Sequence, residues 1–212
     1  MSTVLEGSSI IASGTVAVDP AAATLVVDGL SVSFDGGAST VVRDLSFAIA
    51  RGECVALVGE SGSGKSVTAR ALLGVAGANA TVTADRLRWH DDNLLELDER
   101  GWRRIRGRGI SLVLQDALGS LDPLRRVGLE VAEPLVIHDL ASGATLRSEV
   151  IDLLDRVGVP EPELRAKQYP HELSGGLRQR GLIASAIAAG PDIIIADEPT
   201  TALDVTVQAR IL

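Results

Sequence analysis

Apolar and polar residues along this chain alternate in two regimes, one with the two-residue period of strands and one with the three- to four-residue period of helices. Leu25-Val26-Val27 and Ser31-Val32-Ser33-Phe34 are short β-forming runs separated by Asp28-Gly29, and Val41 to Ile49 alternates beyond a Gly36-Gly37 turn. After Arg51-Gly52, Cys54 to Val58 is continuously apolar, which predicts a strand covered on both faces and a buried cysteine. Ser66 to Leu73 reads as a helix, and Leu87 to Trp89 and Ile110 to Leu114 read as short strands. From Gln115 to Gln179 the pattern turns helical. Val127 to Ile137 and Thr145 to Val157 carry apolar residues three and four apart, and Gly158 stops the second. A helix through Ala184–Ala189 ends at Gly190-Pro191, and Ile193 to Ala196 is a second strand predicted to be deeply buried. Pro199 to Asp204 reads as a loop and Val205 opens a last helix, while residues 1–22 lack periodicity and read as a loose leader.

Composition narrows the class. At 212 residues, 46% apolar and 23% charged, the chain has the make-up of a folded α/β domain with one inserted lobe, its core built from aliphatic residues because aromatics are only 2%. A formal charge of −8 argues against sequence-independent binding of nucleic acid, which needs a basic face. One cysteine excludes an internal disulfide, and His90, His138 and His171 lack metal-ligand spacing. The longest apolar stretch, Gly181 to Ala196, is broken by Gly190-Pro191-Asp192, and Met1 to Gly14 lacks the pattern of a targeting signal. The chain is therefore expected to meet a membrane only through a partner.

The chemistry starts at Gly59-Glu60-Ser61-Gly62-Ser63-Gly64-Lys65-Ser66, which fits G-x-x-x-x-G-K-[ST] between an apolar strand and a helix. Glycines let the backbone wrap a phosphate chain with its N–H groups inward; Lys65 can reach the β- and γ-phosphates, and the Ser66 hydroxyl can ligate Mg2+. In Ile193-Ile194-Ile195-Ala196-Asp197-Glu198 an apolar strand ends in two acids, placing Asp197 where open α/β sheets bind ligands. Asp197 suits the Mg2+ shell and Glu198 the proton or orientation of an attacking water.

Between these elements stands Leu173-Ser174-Gly175-Gly176-Leu177 with Arg178-Gln179-Arg180, which resembles the signature motif of ATP-binding-cassette (ABC) ATPases. The resemblance runs from about Thr24 to Leu212. It implies that Gln115 is the Q-loop glutamine, that Thr201-Ala202-Leu203-Asp204 is the D-loop, and that Phe34 stacks on adenine. Tyr169-Pro170-His171-Glu172 before Ser174 and Leu121-Asp122-Pro123 after Gln115 narrow the likeness to the cassettes of oligopeptide, dipeptide and nickel importers.

The fold this implies is an α/β P-loop NTPase (RecA-like) core with an amino-terminal antiparallel β part and an inserted helical subdomain. Its parts would be the leader 1–22, a nucleotide-binding core 23–115, a helical subdomain 116–179 and a core continuation 180–212. The resemblance also implies ATP sandwiched between two cassettes, homo- or heterodimeric, with Ser174, Gly175 and Gly176 of one meeting the phosphate bound by the other. Mg2+ would be held by Ser66, Gln115 and Asp197, with Glu198 and Gln115 catalytic. Membrane-spanning permease subunits, an extracytoplasmic substrate-binding protein and a peripheral position on the cytoplasmic face complete the expectation.

The family's γ-phosphate histidine lies on a strand beyond the D-loop, and none of the three histidines stands in that context before Leu212. The carboxyl-terminal part of the core is therefore expected to be missing, leaving these residues poorly stable and weakly hydrolytic alone. Two other classes stay open at this point: a soluble cassette ATPase acting on nucleic acid or ribosomes, and a non-hydrolytic nucleotide-binding module.

Overall fold

The computed structural model describes residues 11–13, 23–114 and 117–197. Gln115, Glu198, Asp204, the D-loop, the last helix and most of the leader lie outside the described residues. The chain divides into two compact units, Met1–Arg103 and Arg104–Leu212.

The first unit is built on β2 (Leu25–Phe34), which pairs antiparallel with β3 (Ser39–Ile49) along one edge. Its other edge is shared. Leu25 to Asp28 pairs with β6 (Arg86–Trp89), itself followed by β7 (Asp92–Asn93), and Ser31 to Phe34 pairs with β5 (Ala80–Thr83). The change of partner falls at Gly29, whose φ of +64° and lack of a side chain fit the spot: a Cβ there would stand 2.7 Å from the Asp85 carboxylate. Leu25, Leu30, Val32, Val42, Leu72 and Leu87 are buried and form this unit's core. β1 (Ile11–Ser13), from the stretch expected to be loose, pairs antiparallel with β4 (Ala56–Val58). Helix α1 (Lys65–Ala71) follows β4, and α2 (Glu99–Ile105) crosses the boundary between the units.

The second unit combines the parallel pair β8 (Ile110–Val113) and β9 (Ile193–Ala196) with helices α3 (Ala117–Ser120), α4 (Val127–Ile137), α5 (Gly143–Arg156), α6 (Pro162–Arg165) and α7 (Gly175–Ile187). Its core is the expected stripe. Val127, Val131 and Leu135 recur every four residues on α4 and meet Val150, Leu153 and Leu154 of α5 and Ile183 and Ala184 of α7. Pro134 inside α4 has no N–H, so the Glu130 carbonyl loses its helical donor. The Ser185 hydroxyl of α7 donates to that carbonyl at 3.0 Å, so a helix defect becomes a tie between two helices. Burial pushes the Glu130 carboxyl above its ordinary range, and Arg125, with Nε 3.3 Å from it, pulls the other way.

The expected α/β architecture is present, but two burial expectations are corrected. Cys54 is exposed, Val58 is 56% exposed and Ile194 is 49% exposed. Among the described residues β4 pairs with β1 alone and β9 with β8 alone, and a sheet two strands wide leaves edges and faces bare. An apolar run records the capacity for burial, not the neighbours that supply it.

Candidate functional site

In the first unit, residues 59–66 form a turn that folds back on itself. The Ser63 N–H donates to the Glu60 carbonyl at 3.2 Å, and Lys65 Nζ donates to the Gly59 and Glu60 carbonyls at 2.8 and 2.9 Å. Two of the three ammonium protons are used to close the loop, which leaves the third for an anion. Gly64, with φ +100°, caps α1, and a Cβ there would stand 3.0 Å from Val42 Cγ2 and 3.1 Å from the Val41 carbonyl. Only glycine lets the loop lie this close to β3. Gly62, at φ +81°, faces open space. Glu60, Ser61 and Gly62 are exposed, and Gly59, Lys65 and Ser66 are half-buried.

Ser63 supplies the test of fit. It is 5% exposed, and its hydroxyl has no hydrogen-bond partner among the described residues. A buried hydroxyl left unbonded costs about 1–3 kcal/mol, and a phosphate oxygen in the loop would satisfy it. Phe34 is half-buried at the end of β2, opposite Ser39 and Ala80.

In the second unit, β8 and β9 run in register from Ile110 opposite Ile193 to Val113 opposite Ala196. The Asp197 N–H donates to the Val113 carbonyl at 2.9 Å, which extends the ladder one step. This puts the half-buried Asp197 at the carboxyl end of the parallel pair, where Leu114 leaves β8.

Ser174 is the N-cap of α7 and accepts from the Leu177 N–H at 3.4 Å. The two glycines that follow are bare. A Cβ on Gly176 would meet nothing within 4 Å, and one on Gly175 only Arg178 Nη2 at 4.0 Å. Backbone is thus presented at the positive end of a 13-residue helix with no side chain over it. The turn before it is held by the Tyr169 N–H, which donates to Glu172 Oε2 at 2.7 Å. The Tyr169 and His171 rings stack with centroids 5.7 Å apart, and the Arg126 guanidinium lies 5.9 Å from the Tyr169 ring. Sequence reading missed this brace, although Glu172 three residues after Tyr169 is the spacing of a capping box.

Among the described residues no three His, Cys, Asp or Glu side chains cluster as a metal site, and no helix is long and apolar enough to cross a membrane. The phosphate loop lies in the first unit, and Asp197 and the Ser174-Gly175-Gly176 turn in the second. Gln115, Glu198 and Asp204 fall outside the described residues.

Comparison with known proteins follows the same lines. Residues 42–201 match the family described as ABC transporter. The chain is 47% identical over 191 residues to a dipeptide transport ATP-binding protein, DppD, of Lactococcus lactis, covering 89% of this chain and 55% of that protein. It is 49% identical over 191 residues to a peptidoglycan transport ATP-binding protein, YejF, of Agrobacterium fabrum, covering 35% of it. Among solved structures it is similar to an ATP-binding cassette in a dimeric post-hydrolysis state with ADP and Pi, at TM-score 0.70 and 29% identity over 88% of this chain and 79% of that one. The chain spans 55–57% of the length of the two DppD proteins that it matches, from Lactococcus lactis and Bacillus subtilis.

Proposed function

The chain belongs to the ABC transporter family, and from that membership we propose that it is the ATP-binding, ATP-hydrolysing subunit of an importer of peptides. The observation that carries the reading is the closed 59–66 loop with its buried, unbonded Ser63 hydroxyl, a cradle made for a phosphate group. Lys65 turns its remaining proton and its charge to the phosphates, the loop N–H groups bind their oxygens, and Phe34 stacks on the base.

Ser66, Gln115 and Asp197 would hold Mg2+, which would supply charge neutralisation at the phosphates; their donors are oxygens, as a hard cation requires. Glu198 receives a proton from the attacking water or orients it, and Gln115 links the γ-phosphate to the helices that follow it. A second cassette supplies Ser174, Gly175 and Gly176 to close the far side of the nucleotide, with Asp204 beside that junction. Hydrolysis removes the bridging charge, the pair loosens, and the helices of the second unit move with it. The remaining partners are membrane-spanning permease subunits and an extracytoplasmic binding protein, with this chain peripheral on the cytoplasmic face. The names of the relatives, dipeptide transport among them, support peptide over nickel as the cargo.

Reconstituting the protein with its permease in vesicles tests the reading. ATP turnover is expected to rise severalfold when dipeptide and binding protein are supplied, and Ni2+ in their place is expected to leave it at the basal rate. Turnover indifferent to peptide contradicts the importer reading.

A further inference from the structure

The Ser174-Gly175-Gly176 turn is lightly held from its own helix. Its cap bond to the Leu177 N–H is long at 3.4 Å, Ser174 and Gly175 are exposed, and neither glycine has a packed side chain where its Cβ would stand. Its placement therefore depends on the residues before it, and these are fixed in two steps. Residues 166–168 seal the start of α4, where the Val127 and Gly128 N–H groups donate to the Gln168 and Ala166 carbonyls, both at 2.9 Å. A Cβ on Gly128 would stand 2.7 Å from the Ala166 oxygen, so the two segments lie as close as glycine permits. Beyond them Pro170 and Leu173 are buried, and the exposed Glu172 closes the turn that joins these anchors. Glu172 Oε2 accepts the Tyr169 N–H at 2.7 Å, a charge-assisted bond far shorter than the Ser174 cap. The Glu172 N–H donates back to the Tyr169 carbonyl at 3.0 Å.

We infer that Glu172 is a positioning residue for the proposed ATPase reaction: by closing the 169–172 turn it sets where Ser174, Gly175 and Gly176 stand when offered to the nucleotide of the second cassette. The carboxylate acts through the Tyr169 N–H and does not itself touch the phosphate. Releasing it frees the last turn before three residues that little else restrains. A misplacement of about 1 Å at a reacting site costs up to about a hundredfold in rate. The bond from the Glu172 N–H keeps part of the turn, so the loss on removing the side chain is about tenfold. This rests on the reading of the chain as an ATPase.

The test compares Glu172→Ala, Glu172→Gln and Ser185→Ala in the purified full-length protein. The Glu172→Ala variant is expected to turn over ATP about tenfold more slowly at unchanged KM, with affinity at the Lys65 loop within about twofold of wild type. Glu172→Gln keeps an oxygen for the Tyr169 N–H and is expected to hydrolyse within about twofold of wild type. Ser185→Ala loses one bond between α7 and α4, away from the turn, so it is expected to melt lower by a similar few degrees yet keep its turnover within about twofold. Amide exchange at Leu177 and Arg178, both bonded to Ser174, is expected to quicken about tenfold in Glu172→Ala alone. A Glu172→Ala variant that turns over normally overturns the inference, and so does a Glu172→Gln or Ser185→Ala variant as slow as it. A wild-type protein without ATP turnover would instead strike the reading beneath it, and the exchange at Leu177 and Arg178 would still judge Glu172.

Discussion

Replacing Lys65 by alanine is expected to lower both nucleotide affinity and ATP turnover at least about a hundredfold, the loss of one preorganised cationic donor at the site of charge development. Two contributions add. The ammonium clamps the carbonyls of Gly59 and Glu60 at 2.8 and 2.9 Å, so its removal unpins the loop. In the proposed complex its charge would also face the phosphates directly, a role no water can fill with the same orientation. Stability changes little, because each lost bond is worth only about 1 kcal/mol and the Lys65 side chain is only half-buried. Arginine is not a substitute: its planar fork does not fit a pocket between two neighbouring carbonyls. Titration with a fluorescent ATP analogue, with a melt as control, separates the outcomes. Wild-type affinity in the alanine variant would remove the phosphate loop from the account.

Gly176→Ala is expected to move stability and activity in opposite directions. The added methyl meets no heavy atom within 4 Å and sits in helical backbone, where alanine is favoured over glycine by about 0.5–1 kcal/mol. The melting temperature should hold or rise slightly. Turnover should fall about a hundredfold, because that methyl stands over the backbone proposed to meet the phosphate held by the second cassette. Affinity for the first nucleotide, bound by the Lys65 loop of the same chain, should stay near wild type. A variant that turns over normally would show that the bare glycines serve only the helix start.

Much of this was legible in the residues because glycine and proline leave local marks. The 59–66 loop and the stop at Gly158 each follow from what a glycine's backbone permits, and each stands where the sequence puts it. The helical stripe of α4 and α5 was legible from period, which decides which face is buried. Neighbour-dependent properties were not. Cys54 to Val58 and Ile193 to Ala196 read as fully buried, yet Cys54, Val58 and Ile194 face solvent, because cover depends on strands elsewhere. The pairing of Ile11–Ser13 with β4 had no local signal in the leader.

The central claim is that one nucleotide is held between two cassettes, and the mass of the Glu198→Gln protein in solution tests it most directly. Glutamine keeps the size of the side chain and cannot take up the proton, so bound ATP should persist. With saturating ATP and Mg2+ the account predicts that light scattering reads twice the monomer mass, that the doubling vanishes with ADP, and that adding Lys65→Ala or Gly176→Ala abolishes it. A protein that stays monomeric with ATP bound, or that dimerises alike with and without nucleotide, would contradict it.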